Sequence, residues 1–256
     1  MMMGFRWKII QDYLPLFIEG ALTTVKCTIT CIILGLLWGL LLGLGRVASA
    51  PNGFWKYTLY FGVKFPVKIY VSAFRGTPLF VQLMVVYFVL MPYLFNPQHG
   101  LLVNLELMSP ETARLLRSHY GGFIASVVAI TLNSGAYISE IVRAGIQSID
   151  KGQMEAARSL GMSYLQTMQK VILPQAFYKM LPALGNNAIA ILKDSSLGAS
   201  IGLADLAFAA RTAGAAYASY DEPYLIISLV YWCMTCFLSA LIHLMEKTLG
   251  HRNSYS

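Results

Sequence analysis

Residues 22–44 hold a single charged side chain, Lys26, in twenty-three positions. As a helix such a run is about 35 Å long at ~1.5 Å per residue, enough to cross a hydrocarbon core of ~30 Å. Lipid offers the backbone no hydrogen-bond partner, so the run has to satisfy its own amides, which a helix does within itself. Similar runs recur along the chain. With 57% hydrophobic residues, 12% charged residues and a mean hydropathy of +0.59 over 256 residues, the sequence carries more apolar surface than one soluble core of this size can hide. The expected fold class is an all-α integral membrane protein.

Taken in order, residues 1–20 mix Arg6, Lys8, Asp12 and Glu19 with Phe5, Trp7 and Tyr13, which suits an amphipathic segment at the membrane surface. Ala48-Ser49-Ala50 resembles a signal cleavage site, but the run at 22–44 far exceeds a signal core of roughly 7–15 residues, so it reads as a retained first span. Gly35, Gly39 and Gly43 put small residues on one face of it, where another helix can approach closely. Pro51-Asn52-Gly53 marks a turn. The second span, 58–95, is broken at 75–78 by Arg75-Gly76-Thr77-Pro78. A solvent-facing loop with a short helix opening at Ser109-Pro110-Glu111 leads to a third span at 122–146, in which Glu140 and Arg143 stand three apart and pair on one helical face. A fourth span, 177–201, is unusually polar, with Asn186, Asn187, Lys193, Asp194, Ser195 and Ser196. An exposed segment with Asp205, Arg211, Asp221 and Glu222 precedes a fifth span at 224–245.

Between the third and fourth spans lies an amphipathic, charge-bearing island within 147–176. Glu155 to Leu160 favours helix, Gly161 can break it, Ser163 can cap a second helix from Tyr164, and Pro174 should interrupt that second helix. The order Glu155-Ala156-Ala157, Gly161, Leu173-Pro174 resembles the EAA loop of ATP-driven importer permeases, with Val171 where that family usually has isoleucine. Arg75-Gly76-Thr77-Pro78-Leu79 with Gln82 resembles a signature of the permeases for polar amino acids. Ala136-Tyr137, Glu140, Arg143 and Ala144-Gly145-Ile146 resemble the same subgroup.

The resemblance implies a type I ABC importer permease of the MetI-like, histidine/arginine/glutamine type, with five transmembrane helices. It implies that Glu155, Ala156, Ala157, Gly161, Leu173 and Pro174 couple to an ATPase. No Gly-x-x-x-x-Gly-Lys-Ser/Thr phosphate loop occurs, so ATP and magnesium belong to that separate subunit and this chain has no cofactor of its own. Further partners implied are a second permease, identical or related, and an extracytoplasmic amino-acid-binding protein.

For the pathway, a zwitterionic amino acid calls for a cation near its carboxylate and an anion or carbonyls near its ammonium. Arg75 or Lys193 fits the first and Asp194 the second, with Thr77, Ser195 and Ser196 beside them. A structural pairing of Lys193 and Asp194 with Arg75, Glu140 or another span is the alternative.

With the island on the cytoplasmic side, eleven basic residues (Arg46, Lys56, Lys64, Lys68, Arg143, Lys151, Arg158, Lys170, Lys179, Lys247, Arg252) lie inside, against Arg6, Lys8, Arg114, Arg117 and Arg211 outside. The positive-inside bias then puts the amino end outside and the carboxyl end in the cytoplasm, and the resemblance implies that the membrane is a bacterial inner membrane. The excess of Lys and Arg, 19 against 12 acids, is dispersed over loops, which argues against nucleic acid. Cys27, Cys31, Cys233 and Cys236 lie within spans, and no His/Cys set has metal-ligand spacing. A permease for another small solute, a membrane enzyme and a gated channel are the rival readings, although no Ser/His/Asp or Cys/His arrangement supports an enzyme.

Overall fold

The computed structural model describes residues 5–48 and 53–250. Ser49, Ala50, Pro51 and Asn52, on which the cleavage-site and turn expectations fell, lie outside the described residues, as do His251 and Arg252. Helices follow one another as α1 (Trp7–Asp12), α2 (Leu14–Val47), α3 (Phe54–Leu59), α4 (Phe65–Gly76), α5 (Leu79–Val85), α6 (Met91–Phe95) and α7 (Leu101–Asn104). They continue with α8 (Pro110–Gln147), α9 (Lys151–Ser159), α10 (Tyr164–Thr167), α11 (Leu173–Asp194), α12 (Leu206–Tyr217) and α13 (Asp221–Gly250). No strand occurs among the described residues.

Three helices are long and apolar enough to cross a membrane, namely Leu14–Val47, Pro110–Gln147 and Asp221–Thr248. A fourth span forms if the bent pair Phe54–Gly76 and Leu79–Phe95 counts as one, so the expected break falls at residues 77–78. Among the described residues, then, the apolar spans number three or four rather than the five expected. The helix expected as the fourth span, α11, has a spanning length of 22 residues. It is not among the apolar helices, and Gln175, Lys179, Asn186, Asn187, Lys193 and Asp194 dilute its apolarity. Two segments expected outside the spans, the surface segment before the first and the loop before the third, are in part continuous helix with them. Leu14 to Gly20 is the first part of α2, with Pro15 in the opening turn where a missing amide costs nothing. α8 starts at Pro110 as expected, with Ser109 Oγ accepting from the Thr112 amide at 3.1 Å, but then runs unbroken for 38 residues.

Three π-helical turns, at Tyr60–Lys64, Val86–Leu90 and Met168–Ile172, each end two residues before a proline: Pro66, Pro92 and Pro174. A proline donates no hydrogen bond and crowds the carbonyl one turn back; a wider i→i+5 turn placed just ahead of it accommodates both defects without ending the helix. Pro174 therefore does not interrupt the second loop helix, contrary to the expectation from sequence. The chain runs helically from α10 through the π turn into α11.

The chain divides into two compact units. The first comprises Met1–Ile33, Thr77–Leu132 and Ala190–Cys236. Within it, α12 buries Leu206, Ala209, Ala210 and Ala213 with Ile9, Ile10, Phe17 and Ile227. The segment expected to be exposed is thus partly core. Asp205 has no exposed surface, and Glu222 is only 6% exposed. Asp205 Oδ1 accepts from the Phe208 amide at 2.8 Å, capping α12. A Cβ on Gly20 would sit 2.8 Å from the Asp205 carbonyl oxygen, so only glycine lets α2 come this close. Glu222 accepts from the backbone amide and Nε of Arg6 and from Ser219 Oγ. Arg211 and Asp221 are exposed.

The second unit comprises Leu34–Gly76, Asn133–Ile189 and Phe237–Ser256. Here the glycine stripe of α2 lies against α8 at the same four-residue step: a Cβ on Gly35 would strike Ser134 Oγ, one on Gly39 would lie 2.5 Å from Ile138 Cβ, and one on Gly43 2.6 Å from Val142 Cβ. This is the close approach the spacing predicts. Trp38 crosses to Tyr70, its Nε1 donating to the hydroxyl at 2.9 Å.

Candidate functional site

The 147–176 loop is built from local signals. Asp150 Oδ1 accepts from the Gly152 amide at 2.6 Å and opens α9. The helix ends at Leu160, and Gly161 takes φ +85°, a left-handed conformation that glycine adopts without strain. The Gly161 amide donates to the Arg158 carbonyl at 3.0 Å and the Met162 amide to the Ala157 carbonyl at 3.2 Å, closing the turn. Ser163 caps α10 reciprocally: its hydroxyl accepts from the Gln166 amide, and Gln166 Oε1 accepts from the Ser163 amide. Both the break at Gly161 and the cap at Ser163 stand where the sequence places them.

This loop has two faces. Met168 and Ile172 are buried with Ile138, Val142, Ile149, Ala176 and Met180, anchoring it to α8 and α11. Gln175 Nε2 reaches Gln153 Oε1 at 3.5 Å, and Lys179 Nζ donates to the Ser148 carbonyl at 3.0 Å. Of the two motif alanines, Ala157 is buried and Ala156 exposed. Glu155, Gly161 and Pro174 are also exposed, and Leu173 is half-buried. Leu160 is 84% exposed and Leu165 63% exposed. Neither leucine stood out in the sequence. Leu160 follows Met154 and Ala157 at three-residue steps, so periodicity alone assigns it to the inner face; leaving the helix at the Gly161 turn puts it outside.

A charged cluster lies in the same unit. Glu140 and Arg143 pair as expected, through Arg143 Nε and Nη2 at 3.1 Å each. Arg46, which nothing in the sequence connects to them, also bonds Glu140 Oε2. Arg75 stands 3.6 Å from Glu140 Oε1, beyond hydrogen-bond distance, with its guanidinium 5.3 Å over the Tyr137 ring. A cavity of about 440 Å³ opens here, lined by Arg75, Tyr137, Glu140 and Ile141 and, further along, Ser148 and Lys179.

The remaining pathway candidates belong to the first unit. Thr77 accepts from Gln82 Nε2 at its hydroxyl, 2.8 Å, and at its carbonyl, 3.0 Å. Lys193 is exposed and Asp194 half-buried, and neither forms an ion pair among the described residues. Ser195 and Ser196 donate to the Leu192 and Lys193 carbonyls at 2.7 Å each, so both hydroxyl protons finish the last turn of α11.

Residues 60–251 match the family described as binding-protein-dependent transport system inner membrane component. The chain is 38% identical to the arginine transport system permease protein ArtQ of Bacillus subtilis, over 92% of this chain and 93% of that one. It is 34% identical to the glutamate/aspartate import permease protein GltK of Escherichia coli, over 96% and 99%. Among solved structures, an amino acid ABC transporter crystallised with histidines superposes with a TM-score of 0.75 at 36% identity, covering 96% of this chain and all of that one. An inward-facing MetNI methionine transporter, 20% identical, matches in fold with a TM-score of 0.69 over 92% of this chain and 97% of its own. A helical, multi-pass chain with this topology and these relatives is a transport subunit of the inner membrane rather than an enzyme, and it belongs to the binding-protein-dependent transport system inner membrane component family, among the amino-acid ABC transporter permeases.

Proposed function

We propose that this permease imports polar or charged amino acids and that its 147–176 loop is the joint to a separate cytoplasmic ATPase, which carries the ATP and magnesium. The observation that carries the reading is the two-faced loop: its inner face is anchored on α8 and α11, while Glu155, Ala156, Leu160 and Leu165 face outward. Exposed leucines on an otherwise folded loop favour a protein partner. The small Ala156 permits close approach, and the glycine turn holds α9 and α10 at a set angle. The positive-inside count supports a cytoplasmic loop, with the amino end outside and the carboxyl end inside. The substrate class draws on relatives named for arginine and for glutamate/aspartate. Lys193 and Asp194, charged and without ion-pair partners among the described residues, are the groups in a spanning-length helix best suited to line the pathway. A second permease, identical or related, would complete that pathway, with an extracytoplasmic binding protein delivering substrate.

Cross-linking tests the joint. With the four native cysteines replaced, Leu160→Cys should link to the ATPase in intact membranes and resist a membrane-impermeant thiol reagent applied outside. Labelling from outside with no link to any ATPase would overturn both the coupling and the orientation.

A further inference from the structure

We propose that the cavity between the C-terminal half of α8 and the start of α11 holds the phosphate of an anionic phospholipid, with Arg75 and Lys179 as its cations. The charges there do not balance. Both Glu140 oxygens are engaged by hydrogen bonds from Arg143 and one also by Arg46, while Arg75 ion-pairs with Oε1 at 3.6 Å, so one acid is shared by three guanidiniums. Lys179 adds a fourth cation to the same lining. Arg75 makes no hydrogen bond to Glu140, its side chain is 42% exposed, and Tyr137 covers one face of the guanidinium, so its N–H donors are available to an oxyanion. Lys179 spends one donor on the Ser148 carbonyl and keeps two.

The rest of the lining is Ile141, Ala144, Gly145, Met180 and Ala183. A small apolar floor beside these cations fits a glycerophosphate with the start of its acyl chain, next to α8, a helix long and apolar enough to cross a membrane. It fits an α-amino acid less well, because the carboxylate that would have to meet the ammonium is already occupied by arginine. The cavity volume of about 440 Å³ suits a headgroup.

Native mass spectrometry of the assembled transporter, purified from nanodiscs containing phosphatidylglycerol and phosphatidylcholine, reads this directly and does not depend on transport. The wild type should retain phosphatidylglycerol in preference. Arg75→Gln and Lys179→Gln should each weaken retention about five-fold, the effect of roughly one cation near a headgroup. Lys179→Arg, which keeps the charge, should retain the adduct, so a loss in Lys179→Gln would not reflect misfolding. Equal retention of both lipids would overturn the proposal, as would equal retention in Arg75→Gln, Lys179→Gln and the wild type. Displacement of the lipid by millimolar inorganic phosphate would assign the site to a soluble anion instead, and an amino-acid adduct in place of the lipid would assign it to substrate.

Discussion

Asp205 shows how far one carboxylate can stand from its sequence appearance. In a polar stretch between spans it reads as solvent-exposed, yet it is fully buried; burial pushes its carboxyl up to about 7, although the Phe208 amide partly offsets this. A raised acid binds its proton more tightly folded than unfolded, so its contribution to stability is greatest below the ordinary Asp value of ~3.9 and is lost as pH rises towards 7. The purified protein should therefore melt at a higher temperature at pH 5 than at pH 8. Asp205→Asn, which can still cap α12, should abolish most of that difference and stabilise the protein at pH 8 by up to about 3 kcal/mol. An unchanged pH profile of melting in the variant would refute this. Glu140 behaves differently, because it holds guanidiniums from both α2 and α8. Glu140→Gln should cost about 1–3 kcal/mol by leaving cations unpaired, whereas Arg75→Gln, half exposed and not hydrogen-bonded to Glu140, should cost under about 1 kcal/mol. Melting curves of the two variants decide it.

At the scale of elements, what the sequence made legible was local or periodic. The glycine stripe announced its close partner because a missing Cβ has one geometric use at a four-residue step. Gly161 and Ser163 announced a turn and a cap because each residue type solves a backbone problem there. The burial of the 202–222 segment was not legible, since the alanines of α12 look alike whether they face lipid, water or core. The link from Arg46 to Glu140 was equally hidden, because it joins residues 94 apart. Two substitutions test the elements that were read correctly. Gly39→Val puts a branched side chain into a gap with no room for one methyl group and should cost about 1–3 kcal/mol or prevent assembly of the second unit. Gly161 is the opposite case: nothing lies near its absent Cβ, so only its φ of +85° matters. Gly161→Val should uncouple ATP hydrolysis from uptake while leaving membrane insertion intact, whereas Gly161→Asn, which tolerates that conformation, should stay coupled. Coupled transport by the valine variant would show that the turn's shape is unimportant.

At the scale of the whole molecule, uptake should depend on the charge at Asp194 more than on an exposed acid such as Asp221. Asp194→Asn should lower uptake with the complex still assembled, because no ion pair among the described residues is broken. If it lowers only detergent stability, Asp194 is a structural group paired in the assembly. Uptake by Asp194→Asn and Asp221→Asn at matched membrane levels separates these outcomes. The π turn at Met168–Ile172 leads directly into α11. It fits one residue more into its turn than an α-helix would, and each residue is worth about 100° of rotation. Removing that residue would leave the loop and the start of α11 each folded but out of phase. The extra residue and Pro174 thus make a single unit of inheritance: a functional relative is expected to keep both or to have lost both, and a chain that has shed only one should fold, insert and fail to transport.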